Sequence, residues 1–160
     1  MTVSDPLVAL TCLAVLGHAH WFFGNLYEAI VLAPGWRSMA DEPLSVGGGV
    51  LAPGSPVRYY VPITPLTVLV TVSAGIAGWR TPDGPHPALG LGVALSLISA
   101  AVTGYIVARV NLPLFFVADT PAEQKVMLAR RWARLNYIRL TTLGATGTLL
   151  VWALTQASTR

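Results

Sequence analysis

The 160-residue chain is 54% hydrophobic and only 11% charged, a balance that excludes an ordinary soluble domain and is typical of a membrane protein. Its net charge of +3 arises from basic residues grouped between apolar segments, which indicates a role in membrane orientation and no nucleic-acid partner. The single cysteine, Cys12, excludes an internal disulfide and a cysteine-based metal cage.

Four apolar stretches are long enough to cross a hydrocarbon core, which takes about 20 helical residues. We place them at about residues 7–33, 61–79, 88–110 and 135–155, in a single membrane domain that covers residues 1–160. The first stretch has no basic residue before it and no small-residue cleavage site after it, so we expect a retained span rather than a signal peptide. The sequence therefore predicts an all-α, integral membrane four-helix bundle that contacts the lipid bilayer.

The first stretch carries an unusual set of polar side chains. Positions 18, 21, 25 and 28 lie on one face of an α-helix and hold His18, Trp21, Asn25 and Glu28. Ionisable groups at membrane depth are costly and point to function, so we expect this stripe to face the bundle interior.

The segments that connect the four predicted spans differ in their expected structure. Residues 34–60 are rich in proline and glycine and predict an irregular loop or re-entrant cover, whereas residues 80–87 predict a tight turn. Pro113 should end or kink the third helix. Thr120 and Glu123 form a capping-box pattern that opens a cytoplasmic helix over about residues 121–134, which continues into the fourth span.

Eight of the ten basic residues lie in or beside the first and third connections. The positive-inside rule then places both long connections in the cytoplasm and both termini outside the cell membrane. The eight residues are Arg37, Arg58, Arg109, Lys125, Arg130, Arg131, Arg134 and Arg139.

This topology brings the polar residues of four helix ends to one side of the membrane. In the fourth helix Trp132, Asn136 and Arg139 follow the spacing i, i+4, i+7 and share a face. We expect Glu28 to pair with Arg139 or Arg109. The candidates for one shared pocket are Asn25, Glu28, Tyr59, Tyr60, Arg109, Asn111, Trp132, Asn136 and Arg139.

These residues favour acid-base chemistry on an apolar isoprenoid substrate. A carboxylic acid in an apolar pocket can protonate an alkene, so we assign Glu28 as general acid, with Asn25, His18 and Asn136 orienting it or taking the final proton. Aromatic faces stabilise carbocations, and Trp21, Phe22, Tyr27 and Trp132 are the candidates, with Tyr59 and Asn111 completing the substrate site. Arg109 or Arg139 would hold a polar head group. The prediction is a protonation-initiated terpene cyclase or isomerase without cofactor or metal.

Simpler interpretations exist for each group. Glu28 could be a structural ion-pair partner, and the asparagines could join helices by hydrogen bonds. His18 and His20 could bond to a neighbouring carbonyl or serine, and because an i, i+2 pair splays apart on a helix, chelation by both is not expected. The whole chain could then be a non-catalytic lipid-binding or assembly subunit, in which an oligomer is possible.

The segments "VNLPLFF" and "RRWARLNYIRL" resemble the anthrone oxygenase-like family of small four-helix membrane proteins. In that family an Asn-x-Pro segment ends the third helix, and a Trp, Asn and Arg pattern opens the fourth. The matching residues are Asn111, Pro113, Trp132, Asn136 and Arg139. The resemblance implies a four-helix membrane fold and cofactor-free oxidation of polycyclic aromatic anthrones, for which His18 or His20 would serve as base.

The first helix departs from that pattern because it carries an acid, Glu28. In size and polarity, though without a shared motif, the chain also resembles small integral-membrane terpene cyclases. A cyclase is therefore the leading prediction, and the oxygenase and the non-catalytic subunit are the alternatives.

Overall fold

A computed structural model describes residues 6–38, 56–117 and 120–159, which form four long helices. All four are long and apolar enough to cross a membrane, which confirms the predicted all-α membrane bundle. Helix α1 comprises α-helical Pro6–Tyr27, a π-helical turn at Glu28–Leu32 and α-helical Ala33–Ser38; α2 covers Pro56–Trp79; α3 comprises His86–Ile106, a π-helical turn at Val107–Asn111 and Leu112–Phe115; α4 covers Ala122–Ser158.

The helices form a ring in which each one packs against its neighbours in sequence and α4 closes against α1. The ends of α1 and α3 and the starts of α2 and α4 therefore meet at one end of the bundle, which we call the site end. The opposite end is filled by aliphatic side chains that include Leu7, Leu89 and Leu150. At the site end the core is aromatic and aliphatic, with Trp132 and Phe115 among its buried members.

Both π-helical turns lie two residues before a proline, Pro34 in α1 and Pro113 in α3. A proline ring clashes with the carbonyl four residues back in an α-helix and offers no N–H to it. In the wider turns the amides of Ala33 and Leu112 instead donate to the carbonyls five residues back. The chain thus passes each proline without breaking, and α3 continues to Phe115 instead of ending near residue 110 as predicted.

Other predicted boundaries also shift. Helix α2 begins at Pro56 rather than near residue 61, so the two ends of the predicted irregular connection, 34–38 and 56–60, are helical. The remainder of that connection, residues 39–55, lies outside the described residues. The predicted capping box is wrong, because Pro121 is the N-cap of α4 and the Thr120 hydroxyl donates to the carbonyls of Pro113 (2.9 Å) and Val117 (3.2 Å). Helix α4 covers both the predicted 121–134 helix and the fourth span without interruption.

Candidate functional site

The polar stripe of α1 faces the bundle interior, as its helical spacing requires. Trp21 and Asn25 have no exposed surface, and His18 and Glu28 are also buried. Tyr27, one step out of phase, is 57% exposed on the outer surface and takes no part in the interior. The helical phase of this segment therefore decides which of its polar residues can reach a buried site.

Glu28 and Arg139 form a buried charge pair between α1 and α4. Their Oε2 and Nη2 atoms are 3.8 Å apart, and their side chains are only 10% and 4% exposed. The Tyr60 side chain of α2 lies beside the Glu28 carboxyl group. Gly24, one turn before Glu28, provides the space, since a Cβ there would meet the Tyr60 hydroxyl oxygen at 2.9 Å. Three helices thus hold one carboxyl group.

Two buried asparagines, Asn136 directly and Asn25 through Asn136, hold the Arg139 guanidinium in place. The Asn136 Oδ1 accepts from the Nε (3.0 Å) and Nη2 (2.5 Å) of Arg139, and the Asn136 amide donates to the Asn25 carbonyl (3.3 Å). The Asn25 amide in turn donates to the Trp21 carbonyl at 2.6 Å. These bonds fix the direction of the guanidinium, so Asn25 and Asn136 act on the site through Arg139.

A cavity of about 350 Å³ lies beside this charge pair. Most of its walls come from α2 and α3, and its exposed lining residues Val61, Pro65 and Gly104 stand on those two helices. Among the described residues the cavity therefore opens sideways between α2 and α3, two helices that are long and apolar enough to cross a membrane. The described lining residues are Glu28, Val57, Tyr60, Val61, Thr64, Pro65, Ala100, Thr103, Gly104, Val107, Asn111 and Arg139.

A second groove of about 440 Å³ continues from this cavity along α2, because both are lined by Thr64, Pro65 and Ala100. The groove ends at Val72 and adds aliphatic side chains only. From Val57 to Val72 the path is about 22 Å long at the α-helical rise. The cavity and the groove together form one open path along α2, with a polar end at Glu28 and an aliphatic end toward mid-helix.

His18 lies away from the Glu28 cavity, contrary to its predicted place beside the acid. Its Nδ1 donates to the Ala14 carbonyl (2.9 Å), because a carbonyl can only accept, which leaves Nε2 to accept from the Ser96 hydroxyl at 3.1 Å. His18 and Phe22 line a separate cavity of about 390 Å³ between α1 and α4. The simpler interpretation of His18, as a histidine bonded to a neighbouring serine, describes these contacts.

Three more residues were predicted for the shared pocket, and only one of them lines the Glu28 cavity. Tyr59 is exposed and stacks on His20 with ring centres 4.4 Å apart, and its hydroxyl lies 3.2 Å from the His20 Nδ1. Arg109 is exposed in the second π-helical turn, so Arg139 alone of the two predicted arginines pairs with Glu28. Asn111, at the end of the same turn, lines the cavity.

The aromatic residues predicted for the substrate site do not line the Glu28 cavity. Trp132 packs edge-on against Trp36 at 4.8 Å, and its ring lies 6.0 Å from the Arg139 guanidinium, behind the cavity. Trp21 is fully buried in the core. Among the described residues that line the cavity, Tyr60 is the only aromatic one. Large rings fill the helix interfaces because burial of their apolar surface stabilises the bundle.

Two stripes of hydroxyl residues occur on α2 and α3, and of their members only Tyr60 was predicted from the sequence. Tyr60, Thr64, Thr67 and Thr71 follow helical spacing on α2, as do Ser96, Ser99 and Thr103 on α3. Their inner members Thr67, Thr71, Ser96 and Ser99 are buried. The sequence contains this helical spacing. Serine and threonine are common in membrane helices, however, so they do not indicate a functional site as the ionisable Glu28 does.

Three cavity-lining residues carry buried side-chain oxygens without a hydrogen-bond partner among the described residues: Thr64, Thr103 and Asn111. Asn111 offers Oδ1, an acceptor, and the two threonines offer hydroxyls. Within the described part of the chain, no three histidine, cysteine, aspartate or glutamate side chains lie close enough together to hold a metal ion.

The fold and the site define a helical integral membrane protein with a buried acid beside a lateral cavity. Comparison of the chain with protein-family models, curated proteins and solved structures finds no match. No family is identified, and the resemblance to the anthrone oxygenase-like family stays a prediction from its short motifs.

Proposed function

We propose that the protein is an integral-membrane enzyme that isomerises or cyclises an isoprenoid-type substrate by proton transfer through Glu28. One observation carries the proposal: Glu28 lines a cavity that opens between two helices that are long and apolar enough to cross a membrane. An apolar substrate could then enter from the bilayer and meet a carboxyl group that lies beside Tyr60 and Arg139.

The shape of the cavity and its adjoining groove supports an elongated apolar substrate. Their combined length of about 22 Å suits an extended chain, with Glu28 at one end and aliphatic side chains at the other. Buried carboxyl groups beside apolar walls are suited to proton transfer with carbon. Glu28 is the only carboxyl among the described lining residues, so it is the group to which we assign this role.

In the proposed reaction the protonated Glu28 carboxyl gives its proton to one carbon of a substrate double bond, and the π electrons form the new C–H bond. The carboxylate that this step leaves behind is the form that pairs with Arg139. The neighbouring carbon becomes cationic. Either an adjacent carbon releases a proton and a shifted double bond forms, or a second double bond attacks the cation and forms a C–C bond. Ring closure leaves a new cation on the attacking double bond, and a carbon adjacent to that cation then releases a proton and forms a double bond. The released proton returns to the Glu28 carboxylate. Substrate and product are isomers, and the step consumes no co-reactant.

The scarcity of aromatic lining favours a short reaction over a long cation cascade. Extended cationic intermediates are stabilised by several aromatic faces, whereas the described cavity wall offers Tyr60 alone. A double-bond shift or a single ring closure is the chemistry that this wall suits. The proposed reaction therefore does not include the formation of several rings.

Solvent deuterium tests the assignment of Glu28. Purified protein in lipid nanodiscs is incubated in D2O with all-trans farnesol, and mass spectrometry measures deuterium bound to carbon. We expect incorporation by the wild type, near-complete loss with Glu28→Gln, and a small residual rate with Glu28→Asp, which keeps a carboxyl. Glu123→Gln, at an exposed acid on α4, is the matched control and should behave as the wild type.

Incorporation that persists in folded Glu28→Gln would refute the role of Glu28. Absence of incorporation by the wild type would refute the proton-transfer proposal as a whole. Oxygen uptake that accompanies conversion of an anthrone would favour the oxygenase alternative instead.

A non-catalytic lipid-binding or assembly subunit is the second candidate. The bonds between Asn136, Asn25 and Arg139 favour it, because they join α1 to α4 and would exist in a purely structural charge pair. In that case the wild type would incorporate no deuterium, and a loss of stability would be the sole effect of Glu28→Gln.

A further inference from the structure

The outer seam between α3 and α4 at the site end carries two arginines around one tyrosine. Arg131 of α4 donates a hydrogen bond to the Tyr105 hydroxyl of α3, and its guanidinium carbon lies 5.3 Å from the centre of the Tyr105 ring. Arg109 follows Tyr105 by four residues and therefore lies on the same side of α3. All three side chains are exposed, so a ligand at the surface can reach them. We call Tyr105, Arg109 and Arg131 the seam site.

The seam site offers hydrogen-bond donors and positive charge. A guanidinium group has five N–H donors and no acceptor, and Arg131 directs one nitrogen, Nη2, to Tyr105. The Tyr105 oxygen accepts that bond, which leaves its own hydrogen available to donate. Arg109 has no hydrogen bond or ion pair with a described residue, and no described carboxylate pairs with Arg131. The site is therefore complementary to an anion with several acceptor oxygens, such as a phosphate group.

The depth of the seam site matches the headgroup layer of a bilayer. Tyr105 lies 19 residues after His86, where α3 begins, which is about 29 Å along the helix axis. The hydrocarbon core of a bilayer is about 30 Å thick. A span that begins at His86 therefore brings Tyr105 to the edge of that core, where tyrosine is common in membrane helices, and places Arg109 one turn beyond it.

An apolar surface adjoins the seam site on the side of the membrane interior. On α3, Ile98 and Ala101 precede Tyr105 with the spacing i, i+3, i+7, and both are exposed. On α4, the exposed Ile138 follows Arg131 by seven residues. Two helices thus present aliphatic side chains within two turns of the donors. A ligand that fits both features carries a phosphate group at one end and an apolar chain at the other.

We propose that the seam site binds an anionic phospholipid, with its phosphate between Arg109 and Arg131 and its acyl chains along α3 and α4. Each guanidinium group can give two parallel N–H bonds to phosphate oxygens, and the Tyr105 hydroxyl adds a further donor. The site is separate from the Glu28 cavity, whose described lining residues include none of the three. The proposal is therefore independent of proton transfer by Glu28.

Native mass spectrometry of the full chain, released from detergent micelles, measures the binding. The probes are dioleoyl phosphatidylglycerol and dioleoyl phosphatidylcholine, which share their acyl chains and phosphate and differ in headgroup charge. We expect phosphatidylglycerol to bind about tenfold more tightly, because the choline cation of the other lipid is repelled by the two arginines. Equal affinity for the two lipids overturns the proposal.

A water-soluble phosphate ester, glycerol 1-phosphate, distinguishes a lipid site from a site for soluble anions. It lacks acyl chains and should not displace bound phosphatidylglycerol at equal concentration. Displacement as strong as that by a second phosphatidylglycerol would assign the site to soluble phosphate esters and overturn the assignment to a lipid.

Two matched double substitutions separate a specific site from general attraction between a basic surface and anionic lipid. Arg109→Gln/Arg131→Gln should weaken phosphatidylglycerol binding by about tenfold or more, since it removes both charged donors. Arg130→Gln/Arg134→Gln removes the same charge at the same end of the bundle, from a face of α4 that also carries the exposed Tyr137, and should leave the affinity almost unchanged. Equal losses in the two double variants overturn the proposal.

A single substitution carries the same comparison if Arg109→Gln/Arg131→Gln fails to fold. Arg109 is exposed and has no partner to lose among the described residues, so Arg109→Gln should fold as the wild type. Its loss of phosphatidylglycerol affinity should exceed that of the control Arg134→Gln. An equal effect of these two single substitutions again overturns the proposal.

Discussion

The buried charge pair between Glu28 and Arg139 makes a quantitative prediction about stability. With 3.8 Å between the charged atoms and an effective dielectric constant of about 20, the Coulomb attraction is about 4 kcal/mol. Solvent screens little of it, because the two side chains are only 10% and 4% exposed. Replacing one partner leaves the other buried without its counter-charge, so Glu28→Gln and Arg139→Gln should each lower the free energy of unfolding by about 3 to 5 kcal/mol.

A double-mutant cycle isolates the pair from the other contacts of each residue. The double variant Glu28→Gln/Arg139→Gln should lose less stability than the sum of the two single variants, by about 4 kcal/mol. The subtraction removes terms that belong to one side chain alone, such as the bonds from Arg139 to Asn136 and the contact of Tyr60 with Glu28.

Unfolding in mixed micelles with increasing sodium dodecyl sulfate provides the measurement, followed by tryptophan fluorescence. Trp21 and Trp132 are buried and should report loss of the core. Glu123→Gln, at an exposed acid, should fall within about 0.5 kcal/mol of the wild type. A coupling energy below about 1 kcal/mol, the range of solvent-exposed pairs, would refute the reasoning that burial makes this pair strong.

Three further predictions concern packing, hydrogen bonding and orientation. Gly24→Ala should lower deuterium incorporation without raising stability, because its Cβ would approach two α2 tyrosines at 2.9 Å. Gly90→Ala has open space around it and should raise the free energy of unfolding by about 0.5 to 1 kcal/mol. Equal gains in stability by the two variants would contradict this prediction. Ser96→Ala should cost about 1 to 3 kcal/mol of unfolding free energy by leaving the buried His18 Nε2 without its bond, and the exposed Ser158→Ala serves as the reference with almost no change. Alkaline phosphatase fused to either terminus should be active outside the cell membrane, since eight of the ten basic residues lie at or near the site end; fluorescence of a cytoplasmic reporter at the C-terminus would reverse the orientation.

Local patterns in the sequence predict the elements and the inner face of the first helix. A membrane span needs a long apolar run, so the four spans follow from composition along the chain. Residues three and four apart share a helical face, so the burial of His18, Trp21, Asn25 and Glu28 follows from their spacing. The alternation of antiparallel helices also predicts that Glu28 meets an arginine at the same end.

The sequence left open which arginine this is, and only the packing of α4 against α1 selects Arg139 over Arg109. Which arginine pairs with Glu28 depends on how each helix is rotated about its own axis. That rotation is set by all the contacts among the four helices together. The π-helical turns before Pro34 and Pro113 add to the difficulty, because an extra residue in a turn changes the phase of everything that follows it.

The composition of the cavity wall is likewise a product of the tertiary structure. The sequence determined that the chain is a helical membrane protein with a buried acid, since apolar length and helical periodicity are properties of single segments. The tertiary structure decided that Tyr60, Thr64 and Thr103 face that acid's cavity while Trp21 and Trp132 fill the interfaces behind it. Which side chains meet across a gap between helices depends on the helices' mutual rotation and depth, and no single segment encodes either.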